Sequence, residues 1–195
     1  VVNGSHAILA LLEYLNVPAT AGDWIVNLGA KLPDLQRPWE SNHDQAWDII
    51  LQHGPPGLRS FAVESDPKNA ADIRALQKGA QLKPDKYNHA AVKLFEGRAS
   101  AFNIEQLLDQ HGVPPSFPLL KVDIDSCDLP VTEVILKSRR FKPSLVLAEF
   151  NQHMPLPVEF AALEPDPSDA ALVGRASYQR GRGNHTGYRG FNHVW

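Results

Sequence analysis

Short apolar runs alternate with segments of helical spacing along most of the chain. Ser5 precedes the apolar stretch 6–16, which ends before Pro18 and predicts an opening helix. Runs that predict strands lie at 23–30, 58–67, 88–95, 118–125 and 144–151. Segments that predict helices lie between them at 45–54, from Pro67 onward, at 104–111 and at 128–140. Because the strands are nearly all apolar, both faces of their sheet must be covered, and the alternation predicts a Rossmann-like, doubly wound α/β fold with a mostly parallel sheet.

Polar residues mark where these helices begin. Asp66 can cap the helix whose first residue is Pro67. Asn103 is placed to cap the segment 104–111, with Gln106 at the capping-box position. From Met154 the pattern dissolves among prolines, so we predict an α/β domain over 1–160, with its opening helix at 5–16, and an irregular extension over 161–195.

Composition narrows the class of protein. The chain has 195 residues, 43% of them hydrophobic, and a formal charge of −3, which fits one globular domain and excludes binding of nucleic acid through bulk charge. The longest apolar run, 7–12, is too short to span a membrane, so a soluble or peripheral protein with small-molecule or protein partners is expected. A single cysteine, Cys127, excludes an internal disulfide. The chain begins with Val1 instead of Met, which predicts a processed or truncated N-terminus and is compatible with an organellar address.

The candidate binding residues lie where the predicted strands end. Open parallel sheets bind ligands at the carboxyl ends of their strands, which brings together 27–30, 64–66, 123–125 and 149–151. Gly29 permits a sharp turn and close approach of a ligand. Glu64 can accept two hydrogen bonds from a ribose diol, or it simply faces solvent at the strand end.

The aspartates of 119–130 allow several readings. A calcium loop starting at Asp123 would need Gly and Glu where Asp128 and Val134 stand, so that motif is absent. Asp123 and Asp125 project from one face of a strand about 7 Å apart, near enough to share a cation. Lys121 lies on the same face and is expected to neutralise Asp123, while Asp128 is the expected cap of the next helix. We assign no metal site and no chemistry to the scattered histidines or to Cys127, which we read as a small buried residue.

Four segments taken together resemble the FkbM-type branch of S-adenosylmethionine-dependent methyltransferases. They are 24-WIVNLGA-30, 61-FAVESDP-67, 119-LLKVDIDSCDLPVTEVIL-136 and 143-PSLVLAEFN-151. The similarity runs from about Asp23 to about Phe160, and its most specific part is the strand with Lys121 and the aspartates before a helix. The resemblance implies a Rossmann-like fold that transfers the methyl group of S-adenosylmethionine to a hydroxyl oxygen.

The same resemblance implies roles for named residues. The residues expected to bind the cofactor are Asn27, Gly29 and Ala30 on the methionine and ribose side, Glu64 with Ser65 and Asp66 at the ribose, and Asn88, His89 and Ala90 near the adenine. Those expected to face methyl transfer are Asp123, Asp125, Glu149 and Asn151.

The chain also departs from the family. Its members continue the first turn as G-A-x-D-G, whereas 29-GAKLPD-34 places Leu32 and Pro33 there, and the end of the chain stops where further family elements are expected. Two functions remain open. The departures favour a methyltransferase-like domain that has lost catalysis, has no cofactor, and serves as an accessory or scaffold subunit in a larger assembly. Glu64 and the aspartate strand favour an active O-methyltransferase that uses S-adenosylmethionine on an unknown hydroxyl acceptor.

Overall fold

The computed structural model describes residues 4–31, 44–82, 91–124 and 128–148. Its strands are β1 (Trp24–Leu28), β2 (Arg59–Glu64), β3 (Ala91–Glu96), β4 (Ser116–Val122) and β5 (Lys142–Ala148). Its helices are α1 (Gly4–Tyr14), α2 (Gln45–Asp48), which continues as a π-helical turn (Ile49–His53), α3 (Pro67–Leu82), α4 (Ile104–Gln110) and α5 (Asp128–Lys137). The predicted extension 161–195 lies outside the described residues.

The strands form one sheet in the order β3-β2-β1-β4-β5, and each neighbouring pair is parallel. The chain therefore moves outward from β1 to β3 and then returns to β4 on the other side of β1. This confirms the predicted Rossmann-like, doubly wound α/β fold. The reversal of direction lies between β1 and β4, and the crevice above that point is where such sheets bind ligands.

Both faces of the sheet are covered, as the apolar strands require. Val26 and Leu120 lie opposite each other in the register and pack on one face with Ile104 of α4 and Val131 of α5. Residues of the other face pack with α1, α2, the π-helical turn and α3. Successive strand residues alternate between these two cores because the side-chain period of a strand is two.

The crossover after β1 differs from the single predicted helix. The amide of Gly54 donates to the carbonyl of Ile49 at 2.7 Å, a bond that spans five residues and closes the π-helical turn. The wider turn presents Ile49, Ile50 and Leu51 to the core together, and all three are buried. A regular helix would rotate one residue of such a run toward solvent.

The helix starts are in part those predicted. Asp66 Oδ1 accepts hydrogen bonds from the amides of Lys68 at 2.8 Å and Asn69 at 3.1 Å, so the predicted cap of α3 is confirmed. Asn103 precedes α4, but the prediction that its side chain caps the helix is wrong. Its side chain instead closes the preceding loop, where Oδ1 accepts from the Ser100 amide and Nδ2 donates to the Arg98 carbonyl.

None of the helices in the described part of the chain is long and apolar enough to cross a membrane.

Candidate functional site at the carboxyl edge of the sheet

The turn that leaves β1 is held tightly between the neighbouring strands. The amides of Gly29 and Ala30 both donate to the carbonyl of Val63 on β2 at 3.0 Å, and the Asp123 amide donates to the Leu28 carbonyl at 3.0 Å. Gly29 has a φ of +78°, and a Cβ at this position would lie 1.7 Å from the Asp123 carbonyl oxygen. Position 29 therefore accepts glycine alone without movement of the backbone.

Lys121 lies beneath this turn, on the end of β4. Its Nζ donates to the Gly29 carbonyl at 2.9 Å and lies 3.2 Å from a carboxylate oxygen of both Asp44 and Asp123. The predicted pairing of Lys121 with Asp123 is confirmed. The Lys121 side chain is only 5% exposed, and three acceptors match the three donors of its ammonium group.

Asp44 is the member of this cluster that sequence reasoning missed. It caps α2, where Oδ1 accepts from the amides of Ala46 at 2.9 Å and Trp47 at 3.3 Å. Its Oδ2 accepts from Asn27 Nδ2 at 3.0 Å and lies next to the Lys121 ammonium. Burial raises the pKa of the Asp44 carboxyl above its ordinary value, although the charge of Lys121 and the hydrogen bonds act in the opposite direction. The only sequence signal was an aspartate directly before a helical segment.

Asn27 lies beneath the turn that leaves β1. It is fully buried on β1, in register with Lys121. Its Nδ2 bonds Asp44, while its Oδ1 has no hydrogen-bond partner among the described residues. Asn27 thus supports the turn from below, whereas Gly29 and Ala30 form the turn itself.

Glu64 ends β2 beside the Gly29 turn. It is only 6% exposed, so it does not simply face solvent. Its Oε1 accepts from the Asp66 amide at 2.7 Å, and its carbonyl accepts from the Gly97 amide at 2.9 Å. Ser65 and Asp66 are exposed, and the Asp66 side chain is used to cap α3. The Glu64 carboxylate is therefore held in one orientation at the strand end.

Asp123 is the most exposed carboxylate of the Lys121 cluster, with 41% of its side chain accessible. The next residue, Ile124, donates its amide to Asp128 Oδ1 at 2.9 Å. Asp128 is the first residue of α5, and this bond ties the helix start to the end of β4.

Six of the predicted site residues lie outside the described residues: Asn88, His89, Ala90, Asp125, Glu149 and Asn151. Cys127, to which no chemistry was assigned, lies outside them as well. So do the departures at Leu32 and Pro33. The described residues bring Gly29, Ala30 and Asp123 together at the switch point, with Glu64 on the adjacent strand.

The described ranges contain no group of three or more His, Cys, Asp or Glu side chains placed to hold a metal ion. Two histidines far apart in sequence do meet, since the rings of His6 and His53 have centroids 4.2 Å apart. Two such rings do not make a metal site on their own.

Comparison of the sequence with protein-family models and with curated proteins finds no match. The assignment to FkbM-type methyltransferases therefore stays a prediction from the motifs.

We expect Gly29→Ala to destabilise the protein far more than Gly22→Ala. Both glycines have positive φ, but a Cβ on Gly22 would meet nothing within 4 Å, so that variant should lose only about 1–2 kcal/mol for the left-handed backbone. At Gly29 the clash with Asp123 should raise the loss above about 4 kcal/mol. Urea unfolding measures both values, and equal losses would contradict the tight turn.

Asp44 should make the stability depend on pH. Because its folded pKa is raised above 3.8, the folded state binds the proton more readily than the unfolded chain does. The contribution of Asp44 is therefore fully present below about pH 3.8 and is lost as the pH rises through the folded pKa. We expect the unfolding free energy of the wild type, minus that of Asp44→Asn, to fall as the pH rises above about 3.8. An Asp72→Asn control on the exposed face of α3 should show no such trend, and a difference that rises with pH would refute the assignment.

Proposed function

We propose that this chain is a methyltransferase-like domain that binds S-adenosylmethionine at the carboxyl ends of β1 and β2 and transfers its methyl group to a hydroxyl acceptor. The observation that carries the proposal is the position of Glu64. A carboxylate at the end of the second strand, beside the turn of the first, is suited to accept hydrogen bonds from both hydroxyls of a ribose. The bond from the Asp66 amide to Oε1 holds it in place before a ligand arrives, which lowers the entropy lost on binding.

The same edge is poorly suited to a dinucleotide. Such cofactors place a pyrophosphate on free amides of the first turn and on the N-terminus of the following helix. Here the amides of Gly29 and Ala30 are bonded to Val63, and the first amides of α2 are bonded to the Asp44 carboxylate. That carboxylate thus occupies the position where a phosphate would have to lie. A nucleoside cofactor without phosphates, such as S-adenosylmethionine, fits these constraints better.

Methyl transfer asks little covalent chemistry of the protein. The acceptor oxygen attacks the methyl carbon, the carbon–sulfur bond breaks, and its electron pair stays on sulfur to give S-adenosylhomocysteine. The protein must align the oxygen with the methyl group and remove the hydroxyl proton.

Calorimetry with S-adenosylhomocysteine tests the proposal. We expect binding by the wild type and a loss of at least about tenfold in Glu64→Gln, because an amide accepts one hydrogen bond from the diol less well than a carboxylate accepts two. Asp72→Asn, which removes an exposed carboxylate on α3, should bind as the wild type does. NAD should give no heat. Absence of binding at millimolar S-adenosylhomocysteine would sink the proposal, as would equal binding of NAD.

The second candidate, a non-catalytic accessory subunit, is favoured by the outer surface of α1. Leu11 and Tyr14 on the helix, with Leu15 directly after it, are 41%, 83% and 45% exposed. They lie at helical spacing and form an apolar stripe on the surface of the described part of the chain. Such a stripe favours burial against another protein.

If the accessory function holds, the chain isolated from its native cell should elute as part of an assembly much larger than its own 21.5 kDa. Replacing Leu11 and Tyr14 together with lysine should release it as a monomer, because two charges would then be buried at the contact. Leu136→Lys alters an apolar side chain of similar exposure on α5 and should leave the assembly intact. A monomer at the outset, or release by the Leu136 control alone, would exclude this candidate.

A further inference from the structure

Lys121 joins three parts of the site with one ammonium group. Its acceptors are the carbonyl of Gly29 in the β1 turn, the carboxylate of Asp44 that caps α2, and the carboxylate of Asp123 at the end of β4. These contacts use all of its donors. Lys121 therefore fixes Asp123 relative to the turn, and a rotation of the Asp123 carboxylate would break the ion pair.

The charges of this cluster are arranged unevenly. The side chains of Asp44 and Lys121 are each 5% exposed and their charges cancel inside the protein. The Asp123 side chain is 41% exposed, so the remaining negative charge lies at the boundary with solvent. A fixed carboxylate that is partly shielded from water attracts a cation more strongly than the same group in bulk water.

We propose that Lys121 is a positioning residue that holds the Asp123 carboxylate in the orientation needed to receive the ammonium group on the amino-acid part of the cofactor. This inference rests on the proposed binding of S-adenosylmethionine and adds to it a residue and a recognised group. A carboxylate that is already immobilised loses less conformational freedom when the ligand binds. If the side chain is instead mobile before binding, the entropy lost when the ligand fixes it weakens binding by about tenfold.

The alternative is that Lys121 serves only as the counter-ion of Asp44. Removal of Lys121 alone would leave that carboxylate buried without its cation, and any loss of binding could then follow from damage to the fold. The pair should therefore be removed together. In Asp44→Asn/Lys121→Met, asparagine still offers an oxygen to the Ala46 amide, and methionine replaces the apolar stem of the lysine.

The experiment compares the binding of two ligands by calorimetry in the wild type and in Asp44→Asn/Lys121→Met, in which the net charge of the cluster is unchanged because the two removed charges cancel. S-adenosylhomocysteine carries the ammonium group, whereas 5′-methylthioadenosine has the adenosine and the thioether but lacks the amino-acid part. We expect the double substitution to weaken binding of S-adenosylhomocysteine by about tenfold and to change binding of methylthioadenosine by less than about twofold. Asp123→Asn in the wild type should give the same pattern, and adding it to Asp44→Asn/Lys121→Met should cause no further loss.

Each other outcome has a definite meaning. Equal weakening of the binding of both ligands, or losses from Asp123→Asn and from the double substitution that add, would overturn the positioning role. If Asp44→Asn/Lys121→Met does not fold, Asp123→Asn in the wild type decides the question, since this half-exposed side chain can be changed without emptying the core. Unchanged selectivity between the two ligands in that variant overturns the inference. If the wild type binds methylthioadenosine and S-adenosylhomocysteine with equal affinity, this inference alone is refuted. If the wild type binds neither ligand, the proposed function is refuted as well.

Discussion

The ammonium group of Lys121 connects segments that the apolar core alone would not hold in register at the crevice. The two cores pack side chains on both faces of the sheet, and such contacts are not directional. The Lys121 contacts are directional: a carbonyl and two carboxylates converge on one nitrogen that is shielded from water. A buried charge is tolerated only when its partners are close and complete, so the turn after β1, the cap of α2 and the end of β4 must keep their relative positions.

The positions of the other residues at the carboxyl edge of the sheet follow from that constraint. With its carbonyl held by Lys121, Gly29 directs its amide to Val63, and the absence of a Cβ lets it lie against the backbone of Asp123. The crevice thus has a rigid polar floor between β1 and β4. Glu64 stands to one side on β2 and Asp123 to the other on β4. These two carboxylates could therefore contact different ends of one elongated ligand.

Sequence reasoning reached the features that are encoded locally. The strands, the cap at Asp66 and the pairing of Lys121 with Asp123 depend on residues within a few positions of one another. The partner of Lys121 at Asp44 is 77 positions away and is set by the sheet order, which no local pattern contains. At Asn103 a local pattern gave a wrong prediction. The sequence around Asn103 favours a helix cap, but the loop before α4 offers its side chain better-placed partners. The π-helical turn arises likewise from the need to bury three successive residues against β-strands that are distant in sequence.

The structure also changes how the departure at Leu32 and Pro33 is weighed. The sequence suggested that loss of the acidic residue in the first turn disables cofactor binding, which favoured an accessory function. Yet the amides of that turn are already bonded to Val63, and a carboxylate reaches the same turn from β4, because the backbone of Asp123 lies against Gly29 and its side chain is held by Lys121. The described part of the turn is thus held by the neighbouring strands and does not depend on an acidic residue in the loop. For this reason the departure at Leu32 and Pro33 counts for less against the proposed binding of a cofactor than the loop sequence alone suggests.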